Sequence, residues 1–295
     1  MLRRLQRSLD PELLSKFQII CSRVRDIEQD KIKILWLHDR PCLETKSLGD
    51  PEYRKQFARI VMVSDWQMHA YHYFLDLPFS ECRVIRNGIE PIPAQPKPDP
   101  DDCINLIYHT IPSRGLALLA GAFDYALQKF DRLHLHVFSS YAAYNQPEAD
   151  RHYQQIFDWC RNNPHVTYHG FQPNEVVREA LRNTHIFAYP ALAPETFCLA
   201  AVEAMSSGNL IVAPNYGGLT DICNRWPLSY QWHENRQEHM QIFADTLLDA
   251  ISMIRNDRAH YEAYVAAQKD YADRFYDWKS IAPIWDRMLR ELLPR

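Results

Sequence analysis

Two glutamates define the chemistry open to this chain. Glu195 and Glu203 stand eight residues apart in the stretch Pro-Glu-Thr-Phe-Cys-Leu-Ala-Ala-Val-Glu-Ala-Met-Ser-Ser-Gly that runs from Pro194 to Gly208. Thr196 reads as an N-cap and Phe197 to Ser207 as a helix ended by Gly208, so Glu195 precedes the helix and Glu203 rides on it. Eight residues of helical rise is about 12 Å. That is too long for two carboxylates sharing one proton or one metal ion. It suits hydroxyl-bearing groups at the two ends of a diphosphate, with the free N–H groups and positive dipole of the helix start facing the phosphates between them. The plain alternative makes Glu195 a cap and Glu203 part of a solvated face. Apolar runs on both sides, His185 to Tyr189 and Leu210 to Ala213, and the Gly217-Gly218 turn beyond, make the whole string more specific than two glutamates.

Three further turns hold candidate groups. His109-Thr110-Ile111-Pro112-Ser113-Arg114-Gly115 follows an apolar run and places Arg114 at a helix start, where a guanidinium and backbone amides would meet the same anion. His169-Gly170-Phe171-Gln172-Pro173-Asn174-Glu175 follows another, with Phe171 readable as core or as a flat contact and Asn174 as an N-cap or a ligand group. His38 closes the apolar run Ile32 to Leu37 and is followed by Asp39-Arg40-Pro41; a lone His there serves packing or a site equally well.

The elements that must position these groups alternate. Strands are expected at Gln18–Cys21, Ile32–Leu37, Ile60–Val63 and Cys82–Ile85, with Asp10-Pro11, Asp50-Pro51 and Ser64-Asp65 opening helices between or before them. Prolines at 91, 93, 96, 98 and 100 exclude helix and central strand and read as a stiff extended linker. Beyond it strands at Ile104–Tyr108, Leu133–Phe138, His165–Tyr168, His185–Tyr189 and Leu210–Ala213 alternate with helices, and the chain reads as helical after Gln237. Such alternation implies a parallel, doubly wound α/β sheet, whose ligands bind at the carboxyl ends of strands.

The string Glu195, seven residues, Glu203-Ala204-Met205, a small residue and a nearby Gly resembles the donor site of retaining glycosyltransferases of the GT-B fold, glycosyltransferase family 4 in particular. The resemblance covers Ile104 to about Cys223 well and the first domain loosely. It implies two Rossmann-like domains facing across a cleft: a short acceptor-side domain over residues 1–90, the linker over 91–102, a donor domain over 103–275 and a last helix over 276–295 crossing back to the first domain. It implies that Glu195 binds the donor sugar, Glu203 the ribose, and Arg114 with Gly115 the diphosphate, beside Thr196, Phe197, Cys198 and Leu199 at the helix start. The family often carries an Arg five residues before Arg114, where this chain has His109 or Thr110. Phe171 and Asn174 would flank the base, and His38 would face the donor sugar. The expected activity is sugar transfer from a UDP- or GDP-linked donor to a carbohydrate, lipid-linked or protein acceptor, with retention and with neither metal nor cofactor. The family's Gly-rich loop has no counterpart, since no glycine precedes His38. A sugar-nucleotide-binding subunit without activity, a GT-B epimerase and a Rossmann-like scaffold stay open.

Composition narrows the rest. The 295 residues carry 33 basic and 37 acidic side chains, which leaves no electrostatic footprint for nucleic acid. Seven dispersed cysteines lack Cys-x-x-Cys spacing and fit a reducing, cytoplasmic setting. The basic N-terminus lacks the apolar core of a signal peptide, and no segment is long enough to span a bilayer. Leu2, Leu5, Leu9 and Leu13, with Arg3, Arg4 and Arg7 opposite, form a stripe that packs on the domain or at most touches a membrane surface. His69 with His72, and His134 with His136, have metal-like spacing but no third ligand. Trp66, Trp159, Trp226 and Trp232 read as packing. No Gly-x-Gly-x-x-Gly or Walker loop follows a strand.

Overall fold

The structure, a computed structural model, describes residues 1–294. Two all-parallel sheets organise it, each built by the strand-then-helix alternation of its sequence.

The first sheet has four strands in sequential order: β1 (Phe17–Cys21), β2 (Ile32–Trp36), β3 (Arg59–Met62) and β4 (Cys82–Val84). Two short helices precede it, α1 (Leu2–Ser8) and α2 (Pro11–Ser15), and α3 (Pro51–Arg54) and α4 (Asp65–Leu75) pack between its strands. The starts follow the sequence signals. Asp10 and Asp50 each accept from the N–H two residues on, across a proline that has no N–H to satisfy, and Ser64 accepts from Gln67 N–H. The period of two along the strands divides the apolar residues. Ile34, Trp36, Val61 and Val63 join the main core, while Leu35, Leu37, Ile60 and Met62 build a smaller one with Leu48 and Tyr71. Leu5, Leu9 and Leu13 are buried, so the N-terminal stripe is consumed by packing.

The second sheet has six strands: β5 (Ile104–Tyr108), β6 (Leu133–Val137), β7 (Val166–Tyr168), β8 (Ile186–Ala188), β9 (Leu210–Pro214) and β10 (Leu228–Tyr230), in the order β10-β9-β8-β5-β6-β7. The helices between them are α5 (Leu116–Leu127), α6 (Gln154–Asn162), α7 (Asn174–Arg182), α8 (Leu199–Ser206) and α9 (Leu219–Cys223), followed by α10 (Arg236–Asn256), α11 (Arg258–Tyr276) and α12 (Trp278–Glu291). β10 has no counterpart in the sequence reading; three residues are too few to show a period. The strand order reverses at β5, which lies between β8 and β6. That switch point is where an open parallel sheet leaves a crevice at its carboxyl edge.

The proline-rich segment contains no helix or strand, but it is not a free tether. Ile92 is buried and donates its N–H to Ser206 Oγ at 2.9 Å. Lys97 Nζ donates to the Leu181 carbonyl at 3.2 Å and to that of Thr184. The segment is strapped along the second domain, its prolines contributing carbonyls, as Pro98 does to His185 at 3.0 Å, and its other residues contributing N–H and side-chain donors as well. Beside it the chain crosses between domains twice: Ile89 N–H donates to Tyr276 O at 2.6 Å, and Trp278 N–H to Ile89 O at 3.1 Å. A Cβ at Gly88 would meet the Trp278 ring at 2.5 Å, so only glycine fits there. α12 then lies on the first domain, Trp285 meeting Trp36 edge-on at 4.9 Å between centroids.

Candidate active site in the interdomain cleft

A cleft of about 770 Å³ opens at the switch point. The first domain lines it with His38, Asp39 and Asn87, and the second with the turns after β5, β6, β7 and β8. Of the residues assigned to the donor site and to its facing histidine from the sequence, all line it except Gly115. A larger hollow, about 1090 Å³ between α12 and the α1–α2 corner, contains none of them.

Glu195 is placed by backbone. The segment after β8 lies against Gly217 and Gly218, with Gly218 N–H donating to Glu195 O at 2.6 Å. A Cβ at Gly217 would sit 2.6 Å from Glu195 N, and one at Gly218 would sit 2.6 Å from Thr196 O. Gly217 also has φ +65°, the left-handed region. The two glycines are therefore the bed on which Glu195 rests. Its carboxylate accepts from Arg114 Nη1 at 2.6 Å and from the buried Tyr189 hydroxyl. Arg114 reaches it because Gly115, at φ +126°, lets the turn pass Pro190, whose carbonyl a Cβ would meet at 2.3 Å. Burial works against charge on this guanidinium, but Glu195 and Tyr189 outweigh it, and the net shift is upward. Arg114 stays a cation throughout any working pH.

Glu203, on α8, is 8% exposed and both its oxygens are engaged. Oε1 accepts from Arg178 Nη1 at 3.2 Å and Oε2 from Asn174 Nδ2 at 3.3 Å. Asn174 is not the N-cap expected of it. Pro173 takes that position and Asn174 is the first helical residue, its amide turned toward Glu203. Arg178 was missed by sequence reasoning. The only signal was its place one turn after Asn174, the i, i+4 spacing that puts both on one helix face.

The helix between the glutamates is shorter than its sequence implied. α8 begins at Leu199, and its N-cap is Cys198, held at φ +57° with no side-chain capping bond. Thr196 caps nothing; its hydroxyl donates across the cleft to the His38 carbonyl at 2.6 Å. Phe197 is buried against Tyr276, so its side chain is core even though the residue borders the cleft. Burial, then the nearby Glu195, push the Cys198 thiol well up, so it stays protonated. The first amides of α8, at Cys198, Leu199 and Ala200, belong to the cleft wall.

Two histidines meet in this space. Among the described residues the buried Nε2 atoms of His38 and His109 and the buried Oδ1 of Asn87 have no partner at full hydrogen-bonding geometry, although Asn87 lies close enough to His38 to interact with it weakly. Burial lowers both imidazoles to about 4, so both are neutral near pH 7. Thr110 lines the wall beside His109. Phe171 is 54% exposed on the lining, which rules out the core reading, and the equally open Tyr144 is a second aromatic that the sequence did not single out.

Residues 90–262, more than half of the chain, match the family described as glycosyl transferases group 1. The chain belongs to this family. The lipopolysaccharide 1,2-N-acetylglucosaminetransferase of Salmonella typhimurium is 20% identical over 253 residues, which are 82% of this chain and 64% of that protein. The chain thus spans under two thirds of that relative's length. A glycosyltransferase from Rickettsia africae superposes with TM-score 0.73 at 13% identity, covering 100% of this chain and 82% of the other. Anabaena HepE in complex with UDP and glucose gives 0.65 at 16%, covering 88% and 72%. Both are GT-B relatives, and the two Rossmann-like domains described above have that architecture.

In this member of the group 1 family the remaining histidine pairs serve structure. His69 and His72 donate to the backbone carbonyls of Asp65 and Leu77, and His134 pairs with the Thr167 hydroxyl at 2.8 Å. Among the described residues no three His, Cys, Asp or Glu side chains converge as a metal site would require, and no helix is long and apolar enough to cross a membrane. Trp159 donates to Asp124, Trp226 packs on Tyr264 and Trp232 stacks on Tyr216; none of these, nor Trp66, lines the cleft.

Proposed function

We propose that this glycosyltransferase moves a sugar from a nucleoside diphosphate sugar to a hydroxyl acceptor, with retention of anomeric configuration and without a metal. The UDP in the HepE complex favours a uridine donor over a guanosine one. Glu203 takes the ribose diol, and Phe171 with Asn174 flanks the base. Arg114 and the first amides of α8 hold the diphosphate, and Glu195 holds the sugar. His38 and Asn87 face the sugar from the acceptor domain, offering neutral hydrogen-bonding atoms to hydroxyl groups.

The chemistry asks for charge stabilisation more than for a nucleophile. As the glycosidic C–O bond breaks, the sugar becomes oxocarbenium-like and negative charge gathers on the leaving phosphate. Fixed donors aimed at that oxygen lower the barrier without reorganising. Arg114 is such a donor, held in place and charged by Glu195. With its carboxylate already accepting from Arg114 and Tyr189, Glu195 is better suited to orient than to attack. The acceptor hydroxyl then attacks from the face the phosphate leaves and passes its proton to the departing phosphate oxygen, which is the route to retention.

One observation carries this reading: Glu195 with Arg114 paired to it, Glu203 and the start of α8 all line one interdomain cleft. A thermal-shift series with UDP, GDP, ADP and their sugars tests it. A ligand at a hundred times its Kd stabilises a fold by about 2.7 kcal/mol, a rise of a few degrees. At least one diphosphate should give that rise, and Glu203→Ala should remove most of it. If none does, the donor site is wrong. Slow hydrolysis of the preferred donor, abolished in Glu195→Ala, separates an enzyme from a binding subunit.

A further inference from the structure

The Arg178 guanidinium has two jobs at once. One end meets Glu203 Oε1 at 3.2 Å. The other, Nη2, donates to the carbonyls of Glu90 at 2.9 Å and Pro91 at 3.3 Å. Those carbonyls belong to the residues just after Ile89, where the chain leaves the first domain beside the returning α12. Arg178 and Glu203 are both largely buried, with side chains 17% and 10% exposed. A guanidinium is a planar fork with five donors, so it can bridge a carboxylate and a backbone bend in a way that an ammonium cannot.

A second tie runs to the same bend from α8, the helix that carries Glu203. One turn beyond Glu203, Ser206 Oγ accepts from Ile92 N–H at 2.9 Å and donates to Asp273. Lys269 fastens the group, donating to Ile92 O at 2.5 Å and Ser206 O at 2.6 Å. So the bend is gripped at two points, by Arg178 of α7, which also holds Glu203, and by Ser206 of α8, and of these two only the first involves a cleft residue.

The geometry points to Arg178 as a positioning residue that couples occupancy of Glu203 to the interdomain bend. This rests on the proposed placement of a nucleotide ribose at Glu203. A ribose diol donating to Glu203 shares the carboxylate with Arg178, and any shift of the guanidinium is felt at the Glu90 and Pro91 carbonyls. Nucleotide binding and the domain angle are then linked through one side chain. Linkage of this kind is reciprocal: a bend held in the bound-like position raises nucleotide affinity by the same factor.

The test uses UDP, or GDP if the thermal-shift series selects it, with hydrogen exchange read over residues 89–93 of the full chain. In the unaltered protein the nucleotide should change exchange there. Arg178→Lys keeps a cation beside Glu203 but loses the bridge. It should bind nucleotide within a few-fold of the parent while the exchange response at 89–93 disappears. Arg178→Gln should weaken binding by about tenfold or more, since it leaves a buried carboxylate without its cation. Arg182→Gln, one turn further along, half-buried and paired among the described residues with Glu179 and with no cleft residue, should match the parent in both. Should the parent fail to bind any nucleotide, the donor reading falls. Should the parent bind with no change at 89–93, or should Arg178→Lys respond as the parent does, the donor reading stands and this coupling is wrong. Should Arg178→Gln fail to fold, Arg178→Lys alone decides.

Discussion

The two domains share an architecture and differ in what they bring to the cleft. The second contributes both glutamates, Arg114, a helix start and two open aromatics, and its charged groups there are already paired: Arg114 with Glu195, Arg178 with Glu203. The first contributes His38, Asp39 and Asn87, and two of these carry buried polar atoms with no partner at full hydrogen-bonding geometry among the described residues. One wall is preorganised for an anion; on the other, Asp39 is paired away with Arg23 and the imidazole and amide of His38 and Asn87 are neutral. The second wall also rests on glycines that admit no side chain, whereas His38 simply ends a strand. A site that must stabilise charge as a bond breaks needs fixed donors. A site that must admit different hydroxyl groups needs free ones. The asymmetry of the walls is the asymmetry of the two substrates.

That contrast breaks most readily at Glu195. Glu195→Ala releases Arg114 from its partner, and loss of one preorganised electrostatic element costs about 10²- to 10³-fold in kcat. The measurement is turnover of the preferred donor with thermal stability as control. An equal loss in His38→Ala, or none in Glu195→Ala, would put the chemistry on the other wall.

Acid should act on the same asymmetry. Burial lowers His38, His109, His136, His185 and His239 to about 4, and only the first of these lies in the first domain. Each titrates near 6.5 when unfolded. Below that value the unfolded chain binds protons that the folded chain refuses, so stability falls with pH from about 6.5 to about 4 and levels off beyond. Tm should drop over that window. Pepsin at pH 4.5 should first release peptides from residues 103–275. Earlier release from residues 1–90 would assign the weak point to the other domain.

A smaller effect sharpens the donor wall. Phe171→Ala removes an exposed ring that touches little of the fold. Aromatic stacking on a base is worth about 1–3 kcal/mol, so UDP affinity should fall by about tenfold with Tm unchanged in the free protein. If affinity holds, the base lies elsewhere, and Tyr144 is the next ring to remove.

How far the sequence showed all this also differs between the two regions. Buried parallel strands announce themselves as apolar runs, so β5 to β9 were legible along with the turns that end them. Glu195, Glu203 and Arg114 were legible because strand ends in such a sheet are where ligands go. What escaped depended on tertiary partners. Thr196 has every local reason to cap a helix, but a carbonyl from the other domain outbids the helix start, and Cys198 takes the cap in a left-handed conformation. Asn174 lost its cap to Pro173. Arg178 looks like any arginine on an amphipathic helix, and its meaning comes from a carboxylate 25 residues on and a bend 88 residues back. The prolines were read as a spacer because nothing local shows that Lys97 within it would reach the Leu181 and Thr184 carbonyls, or that Lys269 would bind the Ile92 carbonyl.

The least costly change tests whether the walls are held together or merely face one another. Thr196 Oγ1 to His38 O is a hydrogen bond across the cleft, and a second such contact joins Trp66 N–H to Asp221 Oδ2 at 2.5 Å. Thr196→Val keeps shape and β-branching and removes only the hydroxyl. The net worth of one such bond is about 1 kcal/mol, so Tm should fall by about 1–2 °C in a chain this size. Because the His38 carbonyl lies at the cleft edge, where water can replace the lost donor, the fold should survive. The domains should nevertheless part more easily, and small-angle scattering of the free protein should show a slightly larger radius of gyration that saturating UDP reverses. If Thr196→Val leaves both Tm and radius unchanged, the clasp at Asp221 alone holds the walls. The joint Thr196→Val, Asp221→Asn variant would then have to show the opening that neither shows singly.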